Sequence, residues 1–187
     1  MAAVVAVYPL IARASGGVVD LQGIVRAENK PAANVAVWLV GPAGAAAVRR
    51  PKVILDQRNL SFRPDFLVIE VGTTVELPNN DRVLHNVFSF RDGKRFDLGL
   101  YPVGTVRRVT FDRPGLSRIF CNIHPNMAAY VLAVDTPHYA VSGSDGRFSI
   151  PSVTGGNHTY HAWRPGAEEL TGSVRVDGRT ALEIGWP

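Results

Sequence analysis

An all-β chain built from many short strands is what the sequence predicts, and three observations predict it. Eighteen glycines and thirteen prolines are spread along 187 residues, the composition of short strands joined by tight turns. Apolar runs of strand length alternate with clusters of Gly, Pro, Asn and Asp at the intervals of a β-sandwich. No segment keeps a 3.6-residue apolar period over a helix-sized window. The balance of 46% apolar and 19% charged residues belongs to a folded globular protein. The formal charge of +4 is modest, and the basic pairs Arg49-Arg50, Lys94-Arg95 and Arg107-Arg108 lie far apart in sequence. Nucleic-acid binding wants a concentrated basic face, so no nucleic-acid partner is expected. No run approaches the ~18 apolar residues of a membrane span.

Residues 1–16 open with an apolar stretch, 2–12, followed by Ala12-Arg13-Ala14-Ser15. This is the pattern of the rear of a secretory signal with cleavage after Ala14, although a positively charged front is missing. The expectation is an exported, periplasmic protein, with an apolar tail or edge strand as the alternative. Residues 18–26 and 35–40 read as strands separated by the turn Glu28-Asn29-Lys30-Pro31, and Val35, Val37 and Leu39 alternate as a half-buried strand should. Gly41-Pro42-Ala43-Gly44 opens a loop. From Lys52 strands are predicted at 53–55, 66–71, 73–77, 86–90, 106–111, 118–121 and 130–134. Residues 96–102 form a structured connection whose form the sequence does not assign.

The single cysteine excludes an internal disulfide, and a lone cysteine in an exported chain needs a reason. It stands in Cys121-Asn122-Ile123-His124-Pro125-Asn126-Met127. Thiolate, imidazole and thioether are the soft ligand set that selects copper, and two imidazoles with a thiolate and a weak axial thioether form the electron-transfer geometry. Pro125 biases His124 away from helical dihedrals, so this is an open loop. The second imidazole is expected from His85, between the polar turn Pro78-Asn79-Asn80-Asp81 and the strand that follows. A cysteine alone is usually a buried apolar residue. A Cys–His nucleophile would leave Met127 without a role and lacks an orienting group. Structural zinc wants four strong ligands, and a thioether is a poor fourth. Asp20, Asp56, Asp135 and Asp145 show no paired spacing for hydrolysis, no phosphate-cradling glycine loop is present, and no catalytic residue is assigned.

These residues resemble the plastocyanin-type cupredoxins, and Cys-x-x-His-Pro-x-Met has the spacing of the amicyanin loop. The resemblance covers roughly residues 52–135. It implies a Greek-key β-sandwich holding one copper ion that cycles between Cu(I) and Cu(II). His85, Cys121 and His124 would be the strong ligands and Met127 the axial one. Asn86 would help tie the two ligand loops together, and His124 would be the electron port. Ile123 and Asn126 stand where amicyanin-like loops carry a proline and an aromatic, with the ligand set intact. A methylamine pathway does not follow, because the partner surface lies outside the motif.

The tail has another texture. Ser144-Asp145-Gly146-Arg147-Phe148-Ser149-Ile150-Pro151, then Gly155-Gly156, Tyr160, Ala162-Trp163 and Pro165-Gly166, resemble the carboxypeptidase regulatory-like (transthyretin-like) sandwich. The first half of that pattern is Gly23-Ile24-Val25, Pro31 and Val35-Ala36-Val37-Trp38-Leu39. The expected organisation is therefore nested, with 51–136 as a cupredoxin domain and 17–50 with 137–187 as a discontinuous outer sandwich. A single enlarged cupredoxin is the alternative. Trp38, Trp163 and Trp186 are expected to fill the outer core, and His138, beside Pro137, to be solvated. His158 and His161, three apart on a strand, should face opposite ways.

The function expected is a mononuclear blue-copper protein, not an enzyme, carrying electrons between redox protein partners, with the outer sandwich contacting an envelope component. The alternatives are a copper-storage module and an adhesive or carbohydrate-contacting pair of sandwiches.

Overall fold

A computed structural model describes residues 17–42, 52–178 and 180–186. The segment 1–16, with its export signature, and residues 43–51, within the stretch expected to be a loop, lie outside them. Every regular element described is a strand, as the glycine and proline punctuation predicts. No helix among these residues is long and apolar enough to cross a membrane.

The middle of the chain makes two facing sheets. One runs Phe96–Tyr101, His85–Ser89, Gly115–Phe120, Ala128–Val134 and Phe66–Glu70 in spatial order, and the other Val106–Phe111, Thr73–Pro78 and Val53–Ile54. Their inner faces close over Leu55, Phe62, Ile69, Val75, Leu77, Val87, Tyr101, Phe111, Ile119 and Val131. The alternation that marks Thr73, Val75 and Leu77 as inward is the period-two pattern of a half-buried strand. Within 96–102, Phe96–Tyr101 is a strand, and its register slips between Asp97 and Leu100. That bulge breaks the alternation on which a strand is recognised.

The first and last described strands meet. Val18–Ala27 lies between Arg147–Thr154 and Ala181–Trp186, antiparallel to the first and parallel to the second. Ala36–Val40 lies between Tyr139–Val141 and Gly156–Trp163, and Leu170–Val176 completes that sheet. A separate core of Leu21, Val25, Val35, Val37, Leu39, Phe148, Ile150 and Ile184 fills the space between. Asp145-Gly146 makes a turn in which Gly146 adopts φ 74°. A Cβ there would lie 2.5 Å from the Val25 carbonyl oxygen, so only glycine fits.

Two expectations are corrected. Trp38 and Trp163 do not fill the outer core; with Ala36, Leu132 and Val134 they form a third cluster against Phe66, Val68 and Tyr139. The reason is strand alternation: Val37 and Leu39 point into the outer core, so Trp38 between them points away, toward the central sheet. His138 is 5% exposed, because its backbone is tied to the outer sandwich through the Leu39 N–H, which donates to the His138 carbonyl at 2.9 Å. His158 is buried while its neighbour His161 is partly exposed, stacked on Trp38 with ring centroids 5.0 Å apart.

Candidate metal centre

The 121–127 loop is the connection of an antiparallel pair. Gly115–Phe120 and Ala128–Val134 stay in register up to Phe120 opposite Ala128, so Cys121 and Met127 occupy the two feet of the turn and His124 its tip. The Cys121 N–H donates to the Met127 carbonyl at 3.3 Å, and the Met127 N–H donates to the His124 carbonyl at 3.0 Å. His85 begins His85–Ser89, which pairs with Gly115–Phe120 through Phe88 opposite Phe120. Continued toward the turn, that antiparallel register brings His85 across from the loop.

The result is a triangle of donor atoms. The Cys121 Sγ lies 3.8 Å from His85 Nδ1 and 3.6 Å from His124 Nδ1, and the two nitrogens are 3.1 Å apart. A point equidistant from the three lies about 2.0 Å from each, close to metal–nitrogen bonds of ~2.0–2.1 Å and a little inside metal–thiolate bonds of ~2.3 Å. The donor set thus fits a first-row ion by chemistry and by size. Among the described residues it is the one group of three or more His, Cys, Asp or Glu side chains that could hold a metal. His85 is fully buried, Cys121 is 4% exposed and Met127 1%. Met127 packs in the same core as Cys121.

The loop ahead of His85 is pinned from several sides. The buried Asn79 donates through Nδ2 to the carbonyls of Val83 and Tyr101 at 2.9 and 3.2 Å, and its Oδ1 accepts the Asp81 N–H at 3.1 Å. Asp81 Oδ2 sits 3.1 Å from His85 Nε2. Burial pushes the Asp81 carboxyl up, but hydrogen bonds from the Leu60 and Arg82 N–H groups and from His85 outweigh it and hold it below the usual carboxylate range. Tyr101 lies in the same core, its hydroxyl bonded to Gln57 Nε2 at 2.5 Å. Burial pushes that phenol up to about 12, against the opposing Gln57 bond and the Arg107 charge.

Asn86 makes no side-chain hydrogen bond to the cysteine loop, and its Oδ1 is buried without a partner. Its Nδ2 donates to Asp97 Oδ1 at 2.7 Å, and that oxygen also accepts the Gly99 N–H at 2.9 Å. The bulge in the neighbouring strand brings Asp97 within reach, so Asn86 fastens the strand edge and not the ligand loop. Asp81 is the residue that sequence reasoning left out. Its only signal was a carboxylate four residues before the candidate histidine, within a polar turn.

His124 alone of the three reaches the surface. Around it lie Val83, Leu84, Val103 and Ile123, 42%, 50%, 53% and 46% exposed, with Pro102 and the cation of Arg82 at the rim.

No family model matches the chain, and no curated protein matches it by sequence. Solved structures do. A copper-containing nitrite reductase from Thermus scotoductus SA-01 is 28% identical over 51% of this chain, with a TM-score of 0.44; the match spans only 25% of that enzyme. A purple cupredoxin from Nitrosopumilus maritimus is 28% identical over 44% of this chain and 98% of its own, with a TM-score of 0.39. Amicyanin from Paracoccus versutus is 24% identical over 52% of this chain and 97% of its own, with a TM-score of 0.41. All three scores lie below 0.5, and the weight of the functional reading falls on the donor triangle.

Proposed function

We propose that the chain is a mononuclear blue-copper protein that carries electrons, with His85, Cys121 and His124 as strong ligands and Met127 as the weak axial one. The observation that carries this reading is the triangle of one thiolate sulfur and two imidazole nitrogens, sized for a first-row ion. When bound, copper supplies a one-electron couple that soft mixed ligands hold in either oxidation state. Every other contribution comes from the chain. His85 and Cys121 are buried between sheets, so their positions are fixed by strand pairing. Met127, buried at the foot of the turn in the same core as Cys121, would supply the axial thioether. His124 is the route outward, surrounded by the apolar side chains of Val83, Leu84, Val103 and Ile123 that a partner can press against, with the Arg82 cation left at the rim.

The domain division proposed is 51–136 for the copper unit and 17–50 with 137–187 for the outer sandwich. Two separate cores support it. Placement outside the cytoplasm, and contact of the outer sandwich with an envelope component, are proposals resting on the signal-like residues 1–16 and on the copper reading, which suits a periplasm. The reading as carrier is tested by reduction potential and electron self-exchange of the copper-loaded protein. A reversible couple with fast self-exchange is expected. A centre that binds Cu(I) but cannot cycle contradicts electron carriage and leaves copper holding as the task.

A further inference from the structure

We propose that Asp81 is an anionic positioning residue that fixes the tautomer of His85 and biases the centre toward Cu(II). The proposal rests on the copper reading above and deepens it. Asp81 Oδ2 lies 3.1 Å from His85 Nε2, and the His85 ring is fully buried. The same oxygen accepts the Leu60 N–H at 2.7 Å, and Oδ1 accepts the Arg82 N–H at 2.8 Å. Leu60 is delivered by the tip of the hairpin formed by Asp56–Arg58 and Ser61–Arg63, where Asn59 and Leu60 both adopt left-handed φ values of 52° and 55°. Asn80 fastens the Asp81 loop to that hairpin, donating through Nδ2 to Asp56 at 2.8 Å and through its N–H to the Gln57 carbonyl at 3.0 Å. The carboxylate is therefore clamped from two segments far apart in sequence.

An ionised carboxylate only accepts hydrogen bonds. The proton of neutral His85 must then sit on Nε2, which leaves the Nδ1 lone pair aimed at Cys121 and His124. The tautomer that binds metal is thus set before metal arrives. No Lys or Arg among the described residues pairs with Asp81, whose one ionic contact is His85. Its charge therefore acts through the imidazole, raising the basicity of the ligand nitrogen and favouring the more highly charged ion.

Asp81→Asn removes the charge and keeps an oxygen that can accept from Nε2. A mere loop staple would lose stability and leave the potential alone. The expected result for Asp81→Asn is a blue band still present and a Cu(II)-over-Cu(I) affinity ratio reduced about tenfold, a rise of ~59 mV for a one-electron couple. Asp81→Glu should return the potential toward that of the unaltered protein. Nitrogen NMR of the unaltered Cu(I) protein should find His85 protonated at Nε2. A blue, folded Asp81→Asn protein with an unchanged potential overturns the proposal, as does an unprotonated Nε2 in the unaltered protein should the variant fail to fold. Absence of a blue band in the unaltered protein instead overturns the copper reading itself, so the two failures are distinguishable.

Discussion

His85 Nδ1 and His124 Nδ1 face each other at 3.1 Å, from side chains 39 positions apart in the chain. Two imidazole lone pairs at that distance repel unless a cation or a proton lies between them. The fold holds them there because each belongs to a strand end or turn fixed by sheet register. Copper should therefore stabilise the folded state. At a free copper concentration of about 1,000 times Kd, linkage gives ~4 kcal/mol, or a rise in Tm of roughly 8–16 °C for a chain of this size. Calorimetry with and without copper checks this; an unchanged Tm counts against a preformed centre.

Met127→Leu should leave copper bound and raise the reduction potential, because an apolar group of similar volume replaces a thioether that donates to copper. The substitution conserves volume in the core and should cost under about 1.5 kcal/mol of stability. Loss of all copper binding would show that Met127 is more than a weak axial ligand.

The apolar ring about His124 should be the surface through which electrons pass. Leu84→Lys or Ile123→Lys places charge where two copies would meet face to face. Self-exchange should slow at least about tenfold at low salt and partly recover at high salt, as screening weakens the repulsion. The optical spectrum should not change. Equal self-exchange rates would place the port elsewhere.

His138 should make stability depend on pH. Burial holds its pKa below the ordinary 6.5, the Pro151 carbonyl opposes this in part, and the nearby His158 adds to the lowering. A histidine depressed in the fold binds its proton more readily when unfolded. Its neutral form is therefore compatible with the fold above about 6.5, and stability falls as pH drops from there toward the lowered value. Urea midpoints between pH 7.5 and 5 should decline, and His138→Leu should flatten the decline. An unaltered slope would assign the effect to other groups.

A fragment of residues 51–136 should fold and bind copper, since its core of Leu55, Val75, Val87, Phe111, Ile119 and Val131 lies wholly within it. It would expose Leu132 and Val134, which otherwise pack beside Trp38, and should be less soluble than the whole chain. Circular dichroism and copper titration decide; an unstructured fragment contradicts the nested division.

The short strands were legible because their turns are written in Gly, Pro, Asn and Asp, and the Cys121-to-Met127 spacing placed three candidate ligands in one turn. What stayed hidden was whatever depends on long-range register. The bulge between Asp97 and Leu100 hid a strand and redirected Asn86. Trp38 and Trp163 could not be placed from sequence, since a strand with apolar residues on both faces does not say which neighbour covers which face. Asp81 meets Leu60 through a hairpin tip 21 positions away, and no local pattern announces that contact. The segment 1–16 lies outside the described residues, so export remains an expectation from its sequence.

The central claim is most directly tested by the visible absorption spectrum of the protein loaded with one equivalent of Cu(II). An intense blue thiolate-to-copper band is expected, bleached by a mild reductant and abolished by Cys121→Ser. A spectrum with only the faint absorption of copper bound by nitrogen and oxygen would contradict it, because the Cys121 sulfur would then not be a ligand.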